Sequence, residues 1–110
     1  MSDPLEQQFH HAMLSLYDAA ADLKPPFKST RFLNMVRERG GKGAAIQLLS
    51  GTKPSDGFTE LFLRGRDKLK LTVEYLVLQA EWKSLFTEDQ LAIARKRLIA
   101  VECPLPGEAS

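Results

Sequence analysis

The chain has one cysteine, one tryptophan, two histidines and no long apolar run among its 110 residues. The single thiol, Cys103, cannot form an internal disulfide, and without further cysteines it cannot build a structural zinc site. No apolar stretch approaches the ~20 residues of a membrane span, and the N-terminus lacks the order of a secretory signal. These absences predict a cytoplasmic protein without a disulfide, a metal, a cofactor or a membrane contact.

What is present is the composition of an ordinary globular domain, with 44% hydrophobic and 26% charged residues. A chain of this length fits one hydrophobic core. We therefore expect a single helical domain over residues 1–103. A flexible tail should cover 104–110, where Pro104, Pro106 and Gly107 follow closely, and Cys103 is expected to belong with that tail.

The clearest local signal is a capping box at Thr87 and Gln90, with Phe86 just outside it and Leu91 just inside. The threonine oxygen can accept from the amide of Gln90, and the glutamine can reach back to the amide of Thr87. This pattern predicts a helix from Glu88 to about residue 101.

A second helix signal opens the chain, where Asp3, Pro4 and Glu6 provide a cap, a first-turn proline and an acidic first turn. Apolar residues then recur every three or four positions down to Leu23. Pro25 and its neighbour end the pattern. It predicts a longer N-terminal amphipathic helix over 3–23.

The middle of the chain is divided by caps and glycines. Ser29 or Thr30 can begin a second helix, and the Gly40-Gly41 pair can end it before a third, short helix. Ser55 or Asp56 can begin the next helix, which Gly65 then ends.

Residues 71–78 are ambiguous. They alternate like a strand, yet Thr72 resembles a helix cap. A lone strand would have no partner, so we expect a helix. The predicted fold is an all-α, compact single-domain bundle of five or six short helices with the longer N-terminal helix.

Several motifs together resemble a small helical module of uncharacterised bacterial proteins. They are Asp56-Gly57-Phe58-Thr59-Glu60-Leu61, Leu71-Thr72-Val73-Glu74, Leu76-Val77-Leu78, Leu85-Phe86-Thr87, Ile93-Ala94-Arg95 and Arg97-Leu98. The resemblance covers residues 32–98, inside a module of 29–101. It implies a helical fold and an association with restriction-type or other DNA-processing proteins, in a phage-defence setting. It brings no catalytic residues. The charged insert 66–70 and the extra N-terminal helix depart from the pattern.

Two groups of residues invite a catalytic or ligand-binding interpretation. His11, Ser15 and Asp18 share one helix face, but nothing in the sequence buries them as a nucleophilic triad requires. The run from Gly40 to Gly43 resembles a phosphate loop but lacks a preceding strand and a hydroxyl after Lys42. A helix start there could still hold one phosphate. An enzyme or phosphate binder is therefore the minor alternative.

Charge is distributed unevenly along the chain: residues 1–23 carry −4, residues 24–97 carry +7, and the remainder carries −2. If the basic residues of the middle converge, they could bind nucleic acid through its phosphates. The candidates are Lys53, Arg64, Arg66, Lys68, Lys70, Arg95, Lys96 and Arg97. Alternatively, the acidic first helix folds back and neutralises them.

The leading hypothesis is a non-enzymatic accessory or adaptor module that binds another protein. Leu63, Tyr75 and Leu78 fall off the predicted inward-facing stripes and could form an exposed apolar patch, unless the helical phases are slightly different. Exchange of a helix between copies would give a homo-oligomer. The partner's identity does not follow from the sequence.

Overall fold

The computed structural model describes residues 4–106, and within that range every regular element is a helix. The α-helices are α1 (Pro4–Ala21), α2 (Thr30–Ser50), α3 (Asp56–Arg64), α4 (Val73–Val77) and α5 (Glu88–Ala100). Two 3₁₀ helices, Arg66–Leu71 and Lys83–Leu85, lie before and after α4. The prediction of a small all-α domain is confirmed. None of the described helices has the length and apolar character needed to cross a bilayer.

Helix α1 follows the predicted apolar stripe and buries Phe9, Met13 and Ala20. The cap expected at Asp3 lies outside the described residues. The helix ends at Ala21, so the prediction that it reaches Leu23 was wrong. The amide of Leu23 instead closes a turn onto the carbonyl of Ala20, which starts the loop toward α2.

Helix α2 consists of two helical halves separated by a sharp break at Gly40, whose φ of 76° and ψ of 163° are not helical. Glycine adopts this backbone at low cost, which is why the predicted interruption falls here. The two halves follow each other without a loop. At the break, the amide of Gly41 donates a hydrogen bond to Nδ1 of His10 on α1, over 2.9 Å.

Helices α2, α3 and α4 begin at caps that the sequence predicts. Hydroxyls of Ser29, Ser55 and Thr72 each accept a hydrogen bond from an amide three residues further on. Gly65, at φ 135°, ends α3. Residues 73–77 are helical, so the preference for a helix over a strand in 71–78 is confirmed.

The core is built around Phe9, which is fully buried. Its ring meets Trp82 and Phe86 edge to face, with centroids 5.5 and 5.3 Å apart. Cys103 is also buried in this core, so its assignment to the tail was wrong. Its amide bonds to the carbonyl of Leu98, which folds the chain back after α5.

The predicted capping box is present: Gln90 Oε1 accepts from the amide of Thr87, and Thr87 Oγ1 accepts from the amide of Gln90. We expect Thr87→Ala to lower the free energy of unfolding by about 1 kcal/mol, because the amide of Gln90 loses the hydroxyl oxygen that accepts its hydrogen bond. Urea unfolding measures this loss. Thr87→Ser keeps the hydroxyl and should retain most of the stability; an equal loss in both variants would contradict a capping role.

Candidate functional site

An open cleft of about 470 Å³ lies between α1, α2, α3 and the start of α4. We call it the cleft. Apolar side chains that the core only partly covers make up much of its wall: Leu16, Phe27, Phe32, Met35, Leu48 and Leu71. Partly exposed apolar side chains grouped in a concavity are typical of binding sites.

The wall formed by Phe27 is held in place by contacts from two helices. The amide of Phe27 donates to the carbonyl of Ala20 at the end of α1. The guanidinium of Arg64 lies 5.7 Å from the centre of the Phe27 ring and donates to the carbonyl of Pro25. Arg64 is held in turn by Glu60, at 2.8 Å. The loop between α1 and α2 is therefore tied to α3, and the cleft has a fixed edge.

Glu74 of α4 lies on the floor of the cleft and forms a buried ion pair with Arg97 of α5. Arg97 donates to Glu74 Oε2 over 2.9 Å. The side chain of Arg97 is 7% exposed and that of Glu74 is 2% exposed. Arg97 also donates to the carbonyls of Leu48 and Gly51 at the end of α2. Burial raises the pKa of Glu74 above its ordinary value, while its own amide and Arg97 oppose that rise.

Thr72, a second polar side chain that lines the cleft, is also satisfied within the protein. Its hydroxyl donates to the carbonyl of Leu69 and accepts from the amide of Tyr75. The side chains of Glu74 and Thr72 are thus both engaged with the fold. A molecule in the cleft would find mainly apolar contacts there.

Charged residues lie at the mouth of the cleft. Arg31, in the first turn of α2, is 3.7 Å from Asp56 in the first turn of α3, and both side chains are more than four-fifths exposed. Lys53, in the connection between α2 and α3, is exposed and forms no ion pair within residues 4–106.

The eight cations of the predicted nucleic-acid patch do not share one environment: one is buried, four contact carboxylates and three are exposed without an ion pair among residues 4–106. Arg97 is buried in the floor pair, so its place in that patch was wrong. Four of the other cations contact carboxylates: Arg64 with Glu60, Arg66 with Glu102, Lys68 with Asp67, and Arg95 with Glu88. The Lys68 hydrogen bond and charge lower the pKa of Asp67. Lys70 and Lys96 are exposed, and Lys53 belongs to the cleft.

The predicted protein-binding patch does not form as a unit. Leu63 is 74% exposed, but Tyr75 is half-buried. Leu78 is packed in the core with 3% exposure, so its expected exposure was wrong. The reason is that α4 packs against α2, α5 and the preceding 3₁₀ helix, so that this short helix and its C-cap residue Leu78 are buried on almost every side.

The groups on which the catalytic and the phosphate-binding interpretations depend form hydrogen bonds within the protein instead. Ser15 donates to the backbone carbonyl of His11 rather than to its ring. The amide of Gly41, which a phosphate would need, already donates to His10. Within the described part of the chain, no group of His, Cys, Asp or Glu side chains is arranged to hold a metal ion.

Apart from Lys53, which was predicted to bind nucleic acid, the residues that form the cleft were not singled out as a site from the sequence, yet two of them carry a signal. Phe27 directly follows Pro25 and Pro26, in a loop where an aromatic side chain has no helix stripe to join. Glu74 is a lone acid inside the apolar run 71–78. Comparison of the chain with protein-family models, with curated proteins and with solved structures finds no match.

Proposed function

We propose that the protein is a non-enzymatic accessory module that binds another protein, and that the cleft receives apolar side chains from a segment of that partner. The observation that carries the proposal is the group of six partly exposed apolar side chains around one concavity. Burying them would gain roughly 25 cal/mol per Å² of apolar surface. Amphipathic helices are commonly bound in grooves of this kind.

The polar chemistry of the cleft supports recognition rather than catalysis. Glu74 is engaged by Arg97, and the hydroxyl of Thr72 is engaged by the backbone. A general acid or base must reach the proton that it transfers. Groups already committed to the fold are poorly placed for that task, whereas apolar walls on a rigid floor suit the side chains of a protein segment.

The resemblance to a bacterial helical module adds a context to this proposal. We propose that the partner acts in DNA processing or phage defence, in the cytoplasm. Nucleic acid itself is the weaker candidate, because five of the eight predicted cations have carboxylate partners. Paired cations contribute less to phosphate binding than free ones.

Selection of random peptides of about 16 residues on the immobilised protein tests the proposal, since grooves of this kind bind short helices. The affinity of selected peptides would then be measured by fluorescence anisotropy. We expect Phe32→Ser to weaken binding at least about tenfold by removing an apolar wall. Leu63→Ser, on an exposed side chain outside the cleft, should leave the affinity unchanged. Circular dichroism would show that both variants are folded.

The opposite pattern would contradict the proposal. If Leu63→Ser weakened binding and Phe32→Ser did not, the exposed face of α3 would be the binding surface. Titration with a DNA duplex at ~50 and ~200 mM salt tests the alternative. Tight, salt-sensitive binding that is lost in the double variant Arg66→Glu and Lys68→Glu would make nucleic acid the partner.

A further inference from the structure

We infer that the partner segment carries an acidic residue beside its apolar residues, and that Lys53 and Arg31 at the mouth of the cleft meet this carboxylate. The inference rests on the proposed function, since it concerns the chemistry of what enters the same cleft. It follows from where the charges of the cleft lie and which of them are already compensated.

The floor contributes no net attraction for a charged group. Glu74 and Arg97 lie 2.9 Å apart and are both buried, so their opposite charges compensate each other. The charged residues at the mouth therefore determine whether the cleft prefers an acidic or a basic partner segment. Three charged side chains lie there: Arg31, Lys53 and Asp56.

Among these three, positive charge prevails. Asp56 contacts Arg31 only at 3.7 Å, with its side chain 99% exposed, and such exposed pairs hold each other weakly. Lys53 has no carboxylate partner within residues 4–106. Its position in the connection between α2 and α3 places it on the lining of the cleft. A carboxylate of the partner at the mouth could form an ion pair with Lys53, and it would compete with Asp56 for Arg31.

The helices on either side of the mouth act in the same direction. The capping residues of α2 and α3, Ser29 and Ser55, both line the cleft. Helix N-termini carry partial positive charge, so both ends favour an anion over a cation. This effect adds to that of the side chains, and it also disfavours a lysine or arginine at the same place in the partner.

The test uses one cleft-binding peptide from the selection above, prepared with Asp, Asn or Lys beside its apolar anchor. On the wild-type protein we expect the Asp peptide to bind about fivefold more tightly than the Lys peptide at low salt, with a smaller difference at high salt. Lys53→Glu should reverse this order. Lys96→Glu, an equal charge change at an exposed position of α5 outside the cleft, should leave it unchanged.

The outcomes separate the inference from the proposed function. If the three peptides bind equally well, and all are weakened by Phe32→Ser, the cleft binds apolar segments without regard to charge and the inference is overturned. If the order of peptide affinities changes as much in Lys96→Glu as in Lys53→Glu, the preference reflects the overall charge of the protein, and the inference is likewise overturned. If no selected peptide responds to Phe32→Ser, the proposed function itself fails and the inference fails with it.

Discussion

Replacement of Arg97 by methionine is expected to lower the free energy of unfolding by about 3–5 kcal/mol, a large part of the stability of a domain of this size. Urea unfolding near neutral pH measures the change. The loss arises because the variant leaves the buried carboxylate of Glu74 without its counter-charge. It also removes the donor that satisfies the carbonyls of Leu48 and Gly51 at the end of α2.

The size of this loss should depend on pH. Burial raises the pKa of Glu74, so the folded state binds this proton more tightly than the unfolded state does. Stability from this group is therefore greatest when the carboxyl is protonated, and it falls as the pH rises through the folded-state pKa. Without Arg97 the pKa of Glu74 rises further, because a favourable charge is gone. We expect a larger loss at about pH 8 than at about pH 5.

Two further variants test whether the loss of stability comes from the buried ion pair. Arg95→Met removes a cation from the same helix, but that cation is 3.8 Å from an exposed Glu88 and should cost under about 1 kcal/mol. The double variant Arg97→Met and Glu74→Leu removes both buried charges and should recover much of the loss. A loss in Arg97→Met that matches Arg95→Met, or that is independent of pH, would contradict this account.

The buried ion pair could have been predicted from the sequence, although the basic run 95–97 was interpreted differently. Arg95, Lys96 and Arg97 are consecutive, which suggested one basic patch. Consecutive residues of a helix are about 100° apart, however, so the three cannot share a face. Arg97 lies three positions after the inward-facing Ala94, and Glu74 lies within an apolar run. Opposite charges at inward positions of two helices were therefore a readable sign of a buried pair.

Local features were predictable because their causes are local. Capping by Ser55, Thr72 and Thr87 depends on an amide three residues away, and the break at Gly40 depends on one residue's backbone freedom. The burial of Leu78 and Cys103 depends instead on which helices pack together. The cleft has the same origin, since it forms only when parts of four helices and a loop come together. Sequence periodicity describes each helix separately and does not define such a concavity.

The close approach of α1 to α2 leads to a second prediction of large effect: Gly41→Ala should lower the free energy of unfolding by about 2–3 kcal/mol. A Cβ atom at this position would lie 2.5 Å from Cα and 3.0 Å from the amide nitrogen of His10. Both are backbone atoms, so no side-chain rotation can relieve the contact. The helices must move apart, which strains the hydrogen bond from Gly41 to His10.

Comparison with three variants identifies the cause of that loss. Gly57→Ala, in α3, meets no atom closer than 3.8 Å and should be neutral or slightly stabilising. His10→Ala removes the hydrogen bond without a clash and should cost about 1 kcal/mol. Because the clash is with backbone atoms, the double variant His10→Ala and Gly41→Ala should be at least as unstable as Gly41→Ala. If His10→Ala restored stability to the alanine variant, the imidazole and not the helix backbone would set the close approach. If Gly41→Ala matched Gly57→Ala in urea unfolding, the helices would tolerate a wider separation, and glycine at this position would serve only the break in α2.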